Sequence, residues 1–224
     1  MIAVICAMQI EAEALIQKLD NITEKKVLNK TFYQGSLNGK EVVLVICGIG
    51  KVAAGITTAL LIEHFKPELI INSGIAGGYD KGLNTLDLVV SKEVSYYDVN
   101  LTADGEEYGK LPNMPKYFES SIDAVESLKD IDYQYGLIVT ADTFADNREV
   151  IDNIVSKYYQ NKKVLAVDME SASVAQVCFE NNVPFINFRV ISDVIGAESQ
   201  IDGYYNFAKS AADKSIEAIL NIVK

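Results

Sequence analysis

The sequence predicts an α/β fold, a sheet sandwiched between helices, and three observations predict it. Short runs rich in Val and Ile show little polar alternation, the pattern of strands buried on both faces. These runs alternate with longer stretches of helical period, as in sheets covered by helices. Pro67 and Pro184 each stand just before a strand run, where a proline stops the preceding helix. The 224 residues, 49% apolar and 23% charged, suffice for one sizeable core, so residues 1–224 are expected to form a single domain.

In chain order the strand runs are Ile2–Cys6, Thr31–Leu37, Glu41–Cys47, Leu69–Ser73, Asp87–Ser95, Tyr135–Thr140, Val164–Val167 and Phe185–Ser192. Helical patterns fall between them at Gln9–Leu19, Lys51–Phe65, Ile122–Leu128, Arg148–Tyr159, Glu170–Asn181 and Tyr204–Val223. The last carries Phe207, Ala208, Ala211, Ala212, Ile216, Ile219, Leu220 and Val223 on one side, an amphipathic stripe. Residues Ser95–Glu119 follow no regular pattern, and excursions of that length usually shape a site or an interface.

Composition removes several function classes. The net charge of −11 gives nothing for phosphate-backbone binding to act on, so nucleic acid is not an expected partner. The longest uncharged apolar run, Val52–Ile62, is too short to cross a bilayer, so no membrane is expected either. The start of the chain lacks a basic targeting region. Cys6, Cys47 and Cys178 are spread through apolar runs, which reads as buried thiols in a reducing, cytoplasmic compartment. His64 is the single histidine and reads as a solvent-facing helix residue, so His-based triads and His-rich metal sites are set aside. Arginine is scarce, with only Arg148 and Arg189.

Ligands of α/β sheets bind beyond the carboxyl ends of the strands, so the residues there carry the functional argument. Gly48-Ile-Gly-Lys-Val-Ala53 fits a dinucleotide turn, but Asn72 and Ser73 stand where that fingerprint needs an acid. Close packing of helix on strand explains it equally well. Gly74-Ile-Ala-Gly-Gly78 reads as a second glycine-rich turn at the same edge. In Val167-Asp-Met-Glu-Ser-Ala172, Asp168 suits a helix start, whereas Glu170 precedes small and apolar residues and so is expected to be buried. A buried carboxylate wants donors, and a sugar diol would supply two. Asp193 ends an apolar strand run and has a bland alternative as a turn or cap aspartate. Glu11 alone would pass for a surface residue.

Taken together, these stretches resemble the 5′-methylthioadenosine/S-adenosylhomocysteine nucleosidases, within the nucleoside phosphorylase superfamily. The resemblance rests on Ile5-Cys-Ala-Met-Gln-Ile-Glu11, Gly48–Ala54, Ile71-Asn-Ser-Gly-Ile-Ala-Gly-Gly78, Tyr108-Gly-Lys-Leu-Pro112, Gly136–Val139, Ala166-Val-Asp-Met-Glu170, Val183-Pro-Phe185 and Arg189-Val-Ile-Ser-Asp193, in the family's order and spacing from end to end. It implies a three-layer α/β/α sandwich with a central mixed sheet, and a homodimer in which the 96–115 loop reaches the neighbouring site. It also implies hydrolysis of the bond between adenine and a 5′-thio-substituted ribose, a small-molecule substrate, with no cofactor and no metal.

By the same resemblance Glu11 matches the base that activates water, and Asp193 the acid that protonates adenine N7. Arg189 matches a supporting residue near the water. Asp168, Met169 and Glu170 fall on the ribose-binding segment. Phe144 matches the ring stacked on adenine, and the backbone of Ala145 the reader of the base edge. Met8, Ile49 and Ile75 fall on the pocket, with Tyr204 as its lid. Three departures stand out: Ile75 replaces a usual serine, Val139-Thr-Ala-Asp142 differs from the usual strand end, and Asp104 and Glu106 replace aromatic residues. A phosphorylase, a noncatalytic nucleoside binder and a dinucleotide-dependent oxidoreductase remain the rival readings; arginine poverty weighs against the first.

Overall fold

In the computed structural model, which describes residues 1–198 and 200–224, the Val- and Ile-rich runs form one ten-stranded mixed sheet. Parallel β1 (Ile2–Cys6), β4 (Lys40–Ile46) and β5 (Leu69–Gly78) make its centre, with β1 between the other two. Antiparallel β2 (Asp20–Val27) and β3 (Lys30–Leu37) extend one side from β4. On the other side β5 runs parallel to β10 (Phe185–Val194) and antiparallel to β9 (Val164–Asp168). β9 continues through β8 (Gln134–Thr140) to β6 (Leu88–Tyr96), and β6 pairs back onto β10. Half of the sheet is therefore closed into a ring, and the site lies where that ring meets the open half.

Helices cover both faces, as the alternation predicts. α1 (Gln9–Ile16) and α6 (Gln200–Ile222) pack on one face over Val4, Ile71, Phe188 and Val190. α2 (Lys51–Phe65) and α5 (Ser171–Glu180) pack together on the other, over Ala3, Ile5 and Ile70. Fully buried Phe188 alone contributes about 1.5–3 kcal/mol by leaving water. The short α3 (Ile122–Glu126) packs against β10 through buried Ala124 and Val125, and α4 (Arg148–Tyr158) packs over Val139 and Val164. Cys6, Cys47 and Cys178 are buried free thiols and His64 is exposed, as expected from the sequence. No described helix is long and apolar enough to cross a membrane.

The structure corrects several expectations. β2 was not anticipated because all but its last residue are exposed, so it shows no buried stripe. Residues Gly74–Gly78 are not a turn but the second half of β5, held by pairing to β10 and β9. β10 likewise continues past Ser192 to Val194, with a bulge between Ile191 and Asp193. α6 begins at Gln200 rather than Tyr204, and α1 ends at Ile16 rather than Leu19. The Ser95–Glu119 excursion starts as the end of β6, contains a 3-10 turn at Thr102–Asp104, and finishes as β7 (Phe118–Glu119) against β6. It is clamped to α4: Tyr108 stacks on Tyr158 at 4.0 Å, and the Tyr159 hydroxyl donates to the Tyr96 carbonyl.

Candidate active site

A cavity opens at the carboxyl ends of β1, β4, β5, β9 and β10, where ligands of α/β sheets bind. Glu11, Asp168, Glu170 and Asp193 all line it. So do Met8, Ile49, Ile75, Phe144, Ala145, Met169 and Tyr204. Arg189 is the exception: it is buried beneath the floor instead of facing the cavity. Tyr204 meets Phe144 edge-on, with centroids 5.7 Å apart, and its hydroxyl lies 3.5 Å from the Met8 sulfur. Phe144 is 44% exposed and Ile49 57%, so this apolar wall is left bare at the mouth.

Glu11 reaches the cavity because α1 starts directly beyond β1. Its carboxylate folds back over the helix start and accepts from the backbone N–H groups of Ala7 (2.8 Å) and Met8 (2.9 Å) through Oε2. Oε1 accepts from Ile75 N–H at 3.0 Å. A Cβ on Gly74 would stand 2.7 Å from Oε1, so glycine is what lets this carboxylate lie against β5. Burial pushes the Glu11 pKa up, while the charge of Arg189 and the three backbone donors pull it back. A carboxylate in that balance can take a proton from water.

Glu170 and Arg189 share a buried network. Glu170 stands at the N-cap position of α5 with its carboxylate turned away from the helix, and its Oε1 accepts from Gly50 N–H at 2.9 Å, which gives the Gly48-Ile-Gly50 turn its purpose. Gly50 has φ of +97°, and Asp142 holds the next N–H, that of Lys51, at 2.7 Å. Gly50 N–H is thus committed to Glu170, and Asn72, which stands where the dinucleotide fingerprint needs an acid, is committed to Ile5 and Arg189. Asp168 is spent inside the protein: Thr140 Oγ1 donates to Oδ1 at 2.6 Å, while Ser171 Oγ and Arg189 Nη2 (2.9 Å) serve Oδ2. Arg189 Nη2 also donates to Asn72 Oδ1 (2.8 Å) and Ser171 Oγ (2.9 Å), and lies 3.9 Å from Glu170 Oε2. Burial first, then the Asp168 charge, raises the Glu170 pKa to about 7. Glu170 Oε2 is thus the oxygen left to meet a ligand.

Asp193 owes its position to the β10 bulge, which puts Ser192 out of register and turns the aspartate into the cavity. Ser192 Oγ donates to Oδ1 at 2.6 Å, and Gln200 Nε2 donates to Oδ2 at 2.8 Å. Burial raises the Asp193 pKa against the pull of those two donors. Sequence reasoning missed Gln200, which stands in no motif, and gave Ser192 no role beyond its place before Asp193.

No lysine or arginine lines this cavity among the described residues. Arg148 is occupied elsewhere: it lies over the Tyr79 ring at 4.2 Å, donates to the Tyr79 carbonyl at 2.8 Å and pairs with Asp152 at 3.0 Å. The arrangement can therefore hold a neutral ligand with hydroxyls and an aromatic ring, and has carboxyls on which to move protons.

Comparison with known proteins agrees with this geometry. The model of the phosphorylase superfamily matches residues 1–224. A 5′-methylthioadenosine/S-adenosylhomocysteine nucleosidase of Anoxybacillus flavithermus is 41% identical, covering 97% of this chain and 95% of its own. The S. pneumoniae nucleosidase of that name, solved with the transition-state inhibitor MT-ImmA, superposes with a TM-score of 0.93 at 36% identity, covering 100% and 98% of the two chains. That of Colwellia psychrerythraea, solved with adenine, gives 0.93 at 36% identity over 99% and 93%. The chain belongs to the phosphorylase superfamily and, within it, to the 5′-methylthioadenosine/S-adenosylhomocysteine nucleosidases.

Proposed function

We propose that this enzyme hydrolyses the N-glycosidic bond of 5′-methylthioadenosine and S-adenosylhomocysteine, releasing adenine and the 5′-thioribose. Glu11 takes a proton from water as the water oxygen bonds to C1′. The C1′–N9 bond breaks, its electron pair stays on adenine, and Asp193 gives its proton to N7. Glycoside hydrolysis divides the same labour between an acid at the leaving group and a carboxylate at the water. Glu170 Oε2 accepts from the ribose hydroxyls, Phe144 stacks on the base, and Met8, Ile49 and Tyr204 enclose the thio substituent. Arg189 holds Asp168 and Glu170 in place from below.

The observation that carries hydrolysis over phosphorolysis is the charge of the lining. A phosphate dianion needs cations, usually arginines, and here it would meet carboxylates. Two subunits are proposed to complete the site. Ile49, Val52 and Ile56 form an exposed apolar row along the start of α2, beside the cavity mouth, and the clamped 96–115 loop stands ready to meet a partner. In that loop Glu106 is paired with Lys110 at 2.7 Å, which neutralises one of the charges that replace aromatic residues.

The test is adenine release from methylthioadenosine, S-adenosylhomocysteine and other 5′-modified adenosines, with and without phosphate. Equal rates in phosphate-free buffer are expected. Strict dependence on phosphate would overturn the hydrolase reading.

A further inference from the structure

Gln200, the first residue of α6, lies buried among three partners. Its Oε1 accepts from Gly196 N–H at 2.9 Å, and its Nε2 donates to the Ala145 carbonyl at 2.7 Å and to Asp193 Oδ2 at 2.8 Å. The backbone partners fix which end of the amide is which, because an N–H must meet oxygen and a carbonyl must meet nitrogen. The second N–H of Gln200 is thereby aimed at Asp193 Oδ2. A proton on Oδ2 would make that oxygen a poorer acceptor and weaken this bond, so the donor favours Oδ2 unprotonated. Oδ1 is different, since its partner at 2.6 Å is the Ser192 hydroxyl, a rotor that also has the Ala76 carbonyl within 3.4 Å. Oδ1 can be protonated while every donor around it keeps an acceptor.

We propose that Gln200 is a positioning residue: it keeps Asp193 Oδ2 a permanent acceptor, so that the transferable proton is carried on Oδ1, and it ties that carboxyl to the base-contacting segment through Ala145. This rests on the reading of Asp193 as the acid. No charged side chain contributes to the Asp193 shift, which arises from burial opposed by the Ser192 and Gln200 donors. The other titratable groups lining the cavity are Glu11, Asp168, Glu170 and Tyr204, the last one turn along α6.

The experiment is the pH profile of kcat and KM for adenine release in Gln200→Met and Gln200→Glu, with thermal midpoints recorded alongside. The methionine keeps the length but neither donor nor acceptor. The glutamate keeps an oxygen for Gly196 N–H, and so holds the helix start if the methionine variant unfolds. Losing the donor weakens the ionised form of Asp193, so the alkaline limb of kcat is expected to move up by about one pH unit. It should move further in Gln200→Glu, where a second carboxylate stands beside the first. At neutral pH kcat should fall by about tenfold, more than KM rises. An alkaline limb at the wild-type pH in the folded variants would overturn the inference. Wild-type enzyme with no alkaline limb, or one whose limb survives Asp193→Asn, would instead refute the acid role of Asp193.

Discussion

Asp193→Asn is expected to lower kcat for adenine release by about 10²–10⁴-fold, the usual contribution of a general acid or base. KM and the thermal midpoint should change little. The asparagine fits the existing partners: its carbonyl can face the Gln200 donor, and its NH2 can face the Ser192 hydroxyl, which accepts as well as donates. It can still offer N–H to N7, but it has no proton to give. Loss of kcat at preserved binding is therefore the signature of the missing transfer. A variant that turns over near the wild-type rate would remove Asp193 from the mechanism.

Glu11→Gln is expected to cost a similar factor, about 10²–10⁴-fold in kcat, because an amide cannot take a proton from water. Its effect on folding differs. Three backbone donors converge on the Glu11 carboxylate, and glutamine has only one oxygen to offer them. With that oxygen turned to Ala7 and Met8, the Ile75 N–H faces another donor, a loss of about 1–3 kcal/mol. Against this, the neutral side chain escapes the burial penalty that raises the Glu11 pKa. The terms oppose, so a fall of a few degrees in thermal midpoint is expected, with the variant still folded. Steady-state kinetics and a melting curve check both parts, and unimpaired turnover in a folded variant would leave the water without its base.

Much of the fold follows from local pattern. Buried parallel strands such as β1 and β4 advertise themselves as unbroken Val and Ile runs, and α6 by its one-sided stripe. β2 does not, because an exposed edge strand has no buried face to impose a period. Gly74–Gly78 misleads for a different reason. Glycine usually signals a turn, but here a Cβ at Gly74 would press on Glu11, and one at Gly77 would come within 3.0 Å of Ile195. Those glycines mark close approach within a strand.

The site divides along similar lines. Glu170 is visible from residue chemistry, because small apolar residues follow it and its burial demands partners. Asp193 is faint, since a strand-end aspartate has commoner uses and the bulge that aims it cannot be read from spacing. Glu11 looks like a surface residue until α1 folds it over β5, and only the family resemblance picks it out. Gln200 escapes both routes, for its partners Ala145, Asp193 and Gly196 come together only in three dimensions.

The central claim, that water and not phosphate replaces the purine at C1′, is tested most directly in ¹⁸O-labelled water. Methylthioadenosine turned over in that solvent, with phosphate present, should yield unlabelled adenine and a thioribose carrying one labelled oxygen at C1. A sugar 1-phosphate, or a thioribose without label at early turnover, would contradict it.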